Sequence, residues 1–260
     1  MSNGKNIKPR LALTAYRHIV EGAMSIDNTT APAAPRLSVV LMAFNEAASL
    51  AGVTAEIHGA LASLGTSYEL LIVDDGSSDG TGRIANEMAA TLAAVRVCHH
   101  DANFGLGAVY RTGFAEARGD LVTFFPADGQ FPATIIGHYL AAIDDTDMIL
   151  GTLPDRGGPV TARLLSWAER LLLRALFGHF PRFQGIVMFR RSLLDGTRLV
   201  SQGRGWTVLM EFILRQARTG ARIKNLPISI RPRADGASKV NNLRSITSNL
   251  RQVLALRIQL

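Results

Sequence analysis

The chain has 260 residues, 47% apolar and 19% charged, which supplies one substantial core and excludes a chain disordered throughout. A single cysteine, Cys98, excludes an internal disulfide framework and a cysteine-based zinc cluster and fits a reducing compartment. The net charge of +7 is uneven: residues 36–181 carry 9 basic against 16 acidic side chains, residues 182–260 carry 15 against 3.

Carboxylates in the acidic half suit metal or ribose chemistry. The basic third suits phosphate, nucleic acid or anionic lipid, or is a solvated surface. No apolar run reaches the ~18–20 residues of a membrane-spanning helix. Met1 to Arg10 lacks the apolar stretch of a signal peptide. The expectation is a chain that neither spans a membrane nor is secreted.

Residues 1–35 read as a leader, with a short helix over 11–24 and a Pro/Ala/Thr linker from Asn28 to Pro35. The first strand, Leu37 to Met42, is a continuous apolar run of the kind buried in parallel sheets. It ends at Ala43-Phe44-Asn45-Glu46 and leads to a helix over 47–64. A second strand, Tyr68 to Val73, runs into Asp74-Asp75-Gly76-Ser77-Ser78-Asp79-Gly80-Thr81. A helix over 81–93, a strand over 94–99 and a helix over 105–117 follow. The fourth strand, Leu121 to Phe125, leads into Pro126-Ala127-Asp128-Gly129-Gln130. This β-α-β-α rhythm predicts an α/β fold with a mainly parallel sheet covered by helices. Ligands bind beyond the carboxyl ends of such strands, so the three acidic loops should converge on one rim.

After residue 130 the pattern changes. Residues 161–177 read as an amphipathic helix with Arg163, Arg170 and Arg174 on one side. A strand over 186–189, a helix over 206–219 and a strand over 223–230 follow. Ile230 to Lys239 is a basic loop, and 241–258 a basic amphipathic helix. The domain expected is 36–240, with a leader at 1–35 and the helix at 241–260.

Two constellations carry chemistry. Asp74 and Asp75 end a buried strand, where carboxylates accept hydrogen bonds from a base N–H or ribose hydroxyls, and Gly76 allows close backbone approach. Ser78 or Asp79 is placed to cap the next helix. Asp128 and Gln130 present oxygen ligands of the type Mg²⁺ or Mn²⁺ takes together with diphosphate and water. The competing reading is an ordinary Asp-Gly turn. His99 and His100 are adjacent on a strand and face opposite ways, which favours structural roles over a shared metal. Gly105-Leu106-Gly107 lacks the spacing of a dinucleotide fingerprint.

Taken together, LSVVLMAFNE, LLIVDDGSSDGT and NFGLGAVYRTGFAEARGDLVTFFPADGQFP resemble glycosyltransferase family 2. Within it, the chain is most similar to the dolichol-phosphate mannose synthase-like, or polyprenyl-phosphate glycosyltransferase, branch, from about Leu37 to Asn241. The resemblance implies a GT-A fold, a UDP- or GDP-sugar donor and a divalent cation. Ala43, Asn45, Glu46 and Asp75 fall where the family holds the nucleotide. Asp128 and Gln130 fall where it holds metal and diphosphate. Arg111 and Gly113 lie on the helix before the metal strand.

In the tail, Arg231-Pro232-Arg233-Ala234-Asp235-Gly236-Ala237-Ser238-Lys239 resembles the branch's basic loop. The resemblance implies that Arg233 and Lys239 clamp phosphates of donor and lipid acceptor, a task suited to a guanidinium fork and a mobile ammonium. Glu211 falls where the branch carries an acidic residue near the acceptor. Three positions depart from the pattern: Pro126 stands where Asp is usual, Met42 where Pro is usual, and 181–185 lacks an acidic residue.

The resemblance implies an inverting transfer to a polyprenyl phosphate on the cytoplasmic face of a membrane. For a hydroxyl acceptor, Glu211 is the candidate base. A catalytically silent binding module is the third reading. The amphipathic segments would lie on the bilayer, pack on the domain, or make an oligomer contact. No nucleic-acid recognition motif accompanies the basic charge.

Overall fold

A computed structural model describes residues 34–153, 167, 171–178, 181–231 and 251–258. Residues 1–33 of the leader, most of 161–177, Arg233 and Lys239 in the basic loop, and 241–250 of the expected last helix lie outside the described residues. Three strands are largely apolar and alternate between two covered faces, β1 (Leu37–Ala43), β2 (Tyr68–Asp74) and β4 (Leu121–Pro126), while β3 (Val95–His99) forms the sheet edge and is mostly half-buried. On one face Leu37, Val39, Leu41, Leu70 and Ile72 pack under α1 (Leu50–Ser63), α2 (Thr81–Thr91) and α4 (Thr134–Ala142). On the other, Val40, Leu71, Val73 and Phe124 pack under α3 (Leu106–Glu116) and α5 (Thr207–Arg218). Burial of both faces is why β1, β2 and β4 lack a polar stripe.

The sheet has seven strands in the order β3-β2-β1-β4-β6-β5-β7, with β5 (Met148–Thr152), β6 (Val187–Arg190) and β7 (Ile223–Pro227) completing it. β1 pairs in parallel with β2 and β4, and β2 with β3. β6 runs antiparallel to both neighbours, while β5 and β7 are parallel. The expected elements up to β4 are present within a few residues. The reading assigned nothing to 134–152, where α4 and β5 lie, and β7 stops at Pro227 rather than 230.

Under α3, Phe114 meets Phe124 at 5.3 Å, Phe189 at 5.9 Å and Phe212 at 5.1 Å between ring centroids. Gly113 lets the helix come this close: a Cβ there would lie 2.7 Å from Phe124 Cζ and 3.0 Å from Val40 Cγ1. Outside α5, a third cluster joins Met210 and Leu214 to Leu173 and Phe177 of helical residues 171–177 and to Val253 and Leu256 of 251–258. The described parts of both amphipathic segments therefore pack on the domain with one face.

The edge at the strand amino ends is braced by a buried carboxylate. Glu69, only 6% exposed, accepts from the Ser38 hydroxyl (2.6 Å), the Arg118 N–H (2.7 Å) and the Arg96 guanidinium (2.8 Å). Ser38 Oγ also accepts the Gly119 N–H at 2.8 Å. Burial pushes the Glu69 carboxyl up, but bonds from Ser38, Arg96 and the Arg118 N–H outweigh it and hold the group below its usual 4.5. A depressed folded pKa means stability that is present above the unfolded value and lost as pH falls through the folded one. Glu69→Ala should cost about 3 kcal/mol at pH 7, since it strands three donors. Urea denaturation should show the gap between wild type and variant narrowing below about pH 4.5.

Candidate functional site

The pairing registers decide where the site lies. Ala43 stands beside Asp74, Asp74 beside His99, and Met42 beside Pro126. The ladder runs one residue further through Asp75 N–H to Ala43 O (2.9 Å), His100 N–H to Asp74 O (2.9 Å) and Ala127 N–H to Met42 O (3.0 Å). The loops after β1, β2, β3 and β4 consequently open together on one rim, as expected.

The first two loops lock each other. Asn45 sits at φ 54°, a left-handed conformation that asparagine tolerates better than most residues. Its N–H donates to Ser77 Oγ (2.9 Å), and its Oδ1 accepts the Ser78 N–H (2.9 Å). Glu46 N–H donates to Thr81 Oγ1 (2.8 Å) and Ala47 N–H to Asp79 Oδ2 (3.1 Å). Asp79 Oδ1 accepts both the N–H and the hydroxyl of Thr81, at 3.1 and 2.5 Å. Burial pushes the Asp79 carboxyl up, yet the bonds from Thr81 and Ala47 leave it lowered. Asp79 thus holds Thr81, the first residue of α2, but the N-cap is Gly80 with no side-chain capping bond, so neither Ser78 nor Asp79 caps the helix as expected.

Asp74 and Asp75 point to opposite faces, and each meets a histidine. Asp74 Oδ1 accepts the Ser77 N–H (3.1 Å) and Oδ2 lies 3.0 Å from His99 Nδ1, whose Nε2 is 2.9 Å from Asn86 Oδ1. Asp75 Oδ1 accepts from His100 Nδ1 (2.7 Å) and the Phe104 N–H (3.0 Å), and Oδ2 from the Gly105 N–H (2.8 Å). His100 Nε2 lies 2.8 Å from Thr112 Oγ1, and the Asp75 carboxylate on the other side requires an N–H at Nδ1. The two carboxylates are 4% and 3% exposed. Direct bonds from them to a base or ribose were expected; in this structure they hold the rim loops in shape. The histidines are structural, as their alternation suggests.

Gly76 also differs from expectation. It has φ +67°, and a Cβ there would overlap Ala102 and come within 2.7 Å of Asn103 N. The close approach it permits is to the loop after β3.

Asp128 lies in a turn in which its Oδ1 accepts the Gln130 N–H at 3.1 Å. Gln130 O in turn accepts the Arg231 N–H at 2.7 Å. Arg231 forks onto Glu56, at 2.8 and 2.9 Å, and Glu56 also accepts the Ala133 N–H at 2.9 Å. The chain leaving β7 is thereby tied to the Asp128 turn at the start of the basic loop. Sequence reasoning missed Arg231 and Glu56; their separation of 175 residues leaves no local signal.

Glu211 requires a correction. It is 0% exposed on α5, accepts the N–H groups of Val200 (3.0 Å) and Ser201 (2.7 Å), and pairs with Arg215 Nε at 2.8 Å. In this structure Glu211 holds the 200–201 loop rather than standing open to a hydroxyl acceptor. Arg111 reaches the same loop, donating to Ser201 O at 3.3 Å.

Among the described residues no three His, Cys, Asp or Glu side chains gather as a metal cluster. Asp128 and Gln130 still supply two oxygen donors from one turn. That number fits a hard cation which completes its shell with phosphate and water.

The sequence matches the family model for glycosyl transferase family 2 over residues 38–197. The chain belongs to that family, and its fold is GT-A-like. It is 31% identical to an undecaprenyl-phosphate mannosyltransferase of Micrococcus luteus, over 79% of this chain and 88% of the relative. It is 29% identical to a polyprenol monophosphomannose synthase of Mycolicibacterium smegmatis, over 88% of each. Glucosyl-3-phosphoglycerate synthase from Mycobacterium tuberculosis, solved with Mn²⁺, UDP-glucose and phosphoglyceric acid, shares the fold with TM-score 0.60 at 20% identity, over 84% of this chain and 80% of that one.

Gly76→Ala should destabilise the chain by about 2 kcal/mol, because it meets both a left-handed backbone and the 102–103 backbone. Thermal melting should register the loss, and hydrogen exchange should locate it in 100–105.

Proposed function

We propose that this chain moves a sugar from a UDP- or GDP-sugar to a polyprenyl phosphate at the cytoplasmic face of a membrane, with inversion. What carries the reading is the convergence of loops 43–47, 74–81 and 127–130 on one rim, in a family 2 chain with a 31% identical undecaprenyl-phosphate mannosyltransferase relative. The rim formed by Ala43, Asn45, Glu46, Asp75 and Gly76 would receive the nucleotide. Asp74 supports it from within the strand.

The acceptor phosphate oxygen is already anionic, so attack on the anomeric carbon needs no strong base. This agrees with Glu211 being enclosed. The new carbon–oxygen bond forms as the bond to the donor's phosphate oxygen breaks, and the nucleoside diphosphate leaves with the electron pair. Mg²⁺ or Mn²⁺ held by Asp128 and Gln130 would neutralise charge on that leaving group. Arg233 and Lys239, in the loop rooted by Arg231, would bind phosphates and align donor with acceptor.

No described helix is long and apolar enough to cross a membrane. Contact with the bilayer would come from the outward faces of the packed helices, where Trp167, Leu171, Leu172, Leu254 and Ile258 are exposed beside exposed Arg174, Arg251 and Arg257. Apolar side chains among basic ones suit an anionic lipid surface.

Transfer from labelled UDP- and GDP-sugars into extractable lipid, with polyprenyl phosphate added, tests the reading. Label should appear in the lipid phase and be lost with chelator. Asp128→Ala should lower turnover at least about 100-fold with the fold intact. Folded, nucleotide-binding protein that labels no lipid with any donor would overturn the acceptor assignment. In a separate flotation experiment with anionic vesicles, replacing Trp167, Leu171 and Ile258 together by Ser should abolish floating. Unchanged flotation would move membrane contact elsewhere.

A further inference from the structure

Glu211 does not touch the rim, yet the loop it holds does. Residues 200–206 run from the buried carboxylate to the start of α3 and close on it by shape as well as by bonds. The Gly107 N–H donates to Arg204 O at 3.0 Å. A Cβ on Gly105 would lie 2.6 Å from that same oxygen, and one on Gly107 would overlap Gly203 O. Two glycines, 105 and 107, therefore allow two backbones to meet without side chains between them, while Gly203 leaves room on the strap's other side for Thr207 and Gln252. The Arg204 side chain closes the contact from outside, its Nη2 donating to Asn103 O (2.7 Å) and Asn103 Oδ1 (2.9 Å). Phe104 and Gly105, the next residues, are those whose N–H groups bind Asp75.

The other side of this strap is fastened to the carboxyl-terminal helix. Gln252 Oε1 accepts the Gly205 N–H (3.2 Å) and the Thr207 hydroxyl (3.4 Å). A Cβ on Gly203 would come within 2.5 Å of that oxygen. Val253 and Leu256 seat the same helix on Met210 and Leu214. Two distant parts of the molecule, the loop gripped by Asp75 and the helix at 251–258, thus share one connecting element.

The geometry points to Arg204 as a positioning residue for the donor. Through Asn103 it fixes the loop after β3 in the shape that Asp75 requires, and through Gly205 and Gln252 it makes that shape depend on the seating of the carboxyl-terminal helix. The assignment rests on the reading of the rim as the nucleotide site. Energetically it is a coupling between two places that bias one element. The seating of residues 251–258 would thereby adjust donor affinity without any contact between helix and nucleotide.

Arg204 is exposed, so Arg204→Ala should leave the melting temperature near that of wild type. Hydrogen exchange in ligand-free protein should be at least about tenfold faster over residues 103–107 in Arg204→Ala and in Gln252→Ala, with β1 and β2 unchanged. Each variant should bind UDP or GDP about 5–10-fold more weakly, raising donor KM by a similar factor with kcat within about twofold. The double variant should be no weaker than the worse single one, because both act through one strap. Unchanged exchange at 103–107, or faster exchange with unaltered nucleotide affinity, would overturn the assignment. If the folded wild-type protein binds neither nucleotide, the rim is not the donor site and the strap's role falls with it, an outcome distinct from a wild type that binds and variants that bind equally well.

Discussion

Everything at the rim depends on a parallel register that ends neighbouring strands together. Ala43, Asp74 and His99 are side by side, and Met42 stands opposite Pro126. Because the strands are buried on both faces, a slip of one residue would exchange Val39 and Leu41 for Ser38 and Val40 in the α1-side core and turn Asp74 and Asp75 to the wrong helices. The apolar pattern that builds the core therefore also aims the carboxylates. A hydrophobic requirement, many times larger in area than any polar contact, sets the position of a small polar site.

The polar groups then stabilise what the register has placed. Asp74, Asp75 and Asp79 each accept main-chain N–H groups from loops of their own chain. A loop whose donors are satisfied by a buried carboxylate loses little further entropy when a ligand arrives, which is the general advantage of a preorganised site. The Glu56–Arg231 fork extends the same principle across the rim, joining the first helix after β1 to the chain that leaves β7.

Much of this was legible from the chain. β1, β2 and β4 announce themselves because double-sided burial leaves nearly continuous apolar runs, and the acidic turns follow directly from the ends of β2 and β4. Family membership was legible from the combination of three motifs, none of which is decisive alone. The stretch holding α4 and β5 was not, since Met148 to Leu150 is too short an apolar run to separate from a helix. The antiparallel direction of β6 lies in connectivity that side-chain pattern does not encode. The partners of Asp75 and Glu211 were hidden for another reason. A sequence shows which carboxylate ends a strand or sits on a helix, but the donors that meet it come from loops folded back in three dimensions. The same holds for glycines 105 and 107, whose purpose appears only when the two backbones are seen in contact.

The sheet's connectivity has one more effect. β5 follows β4 in the chain, yet it reaches the sheet only through β6, and its outer edge is covered by β7, whose residues come some seventy-five positions later. While the ribosome is still making the end of the chain, all the recognisable motifs of the family match already exist, and β5 presents a bare hydrogen-bonding edge whose Met148, Ile149 and Leu150 are wholly buried in the finished molecule. Such an edge invites pairing with a neighbouring chain. Nascent chains that have emerged only as far as residue 197, where the family match ends, should therefore depend on chaperones until Ile223 to Pro227 arrive to close the sheet.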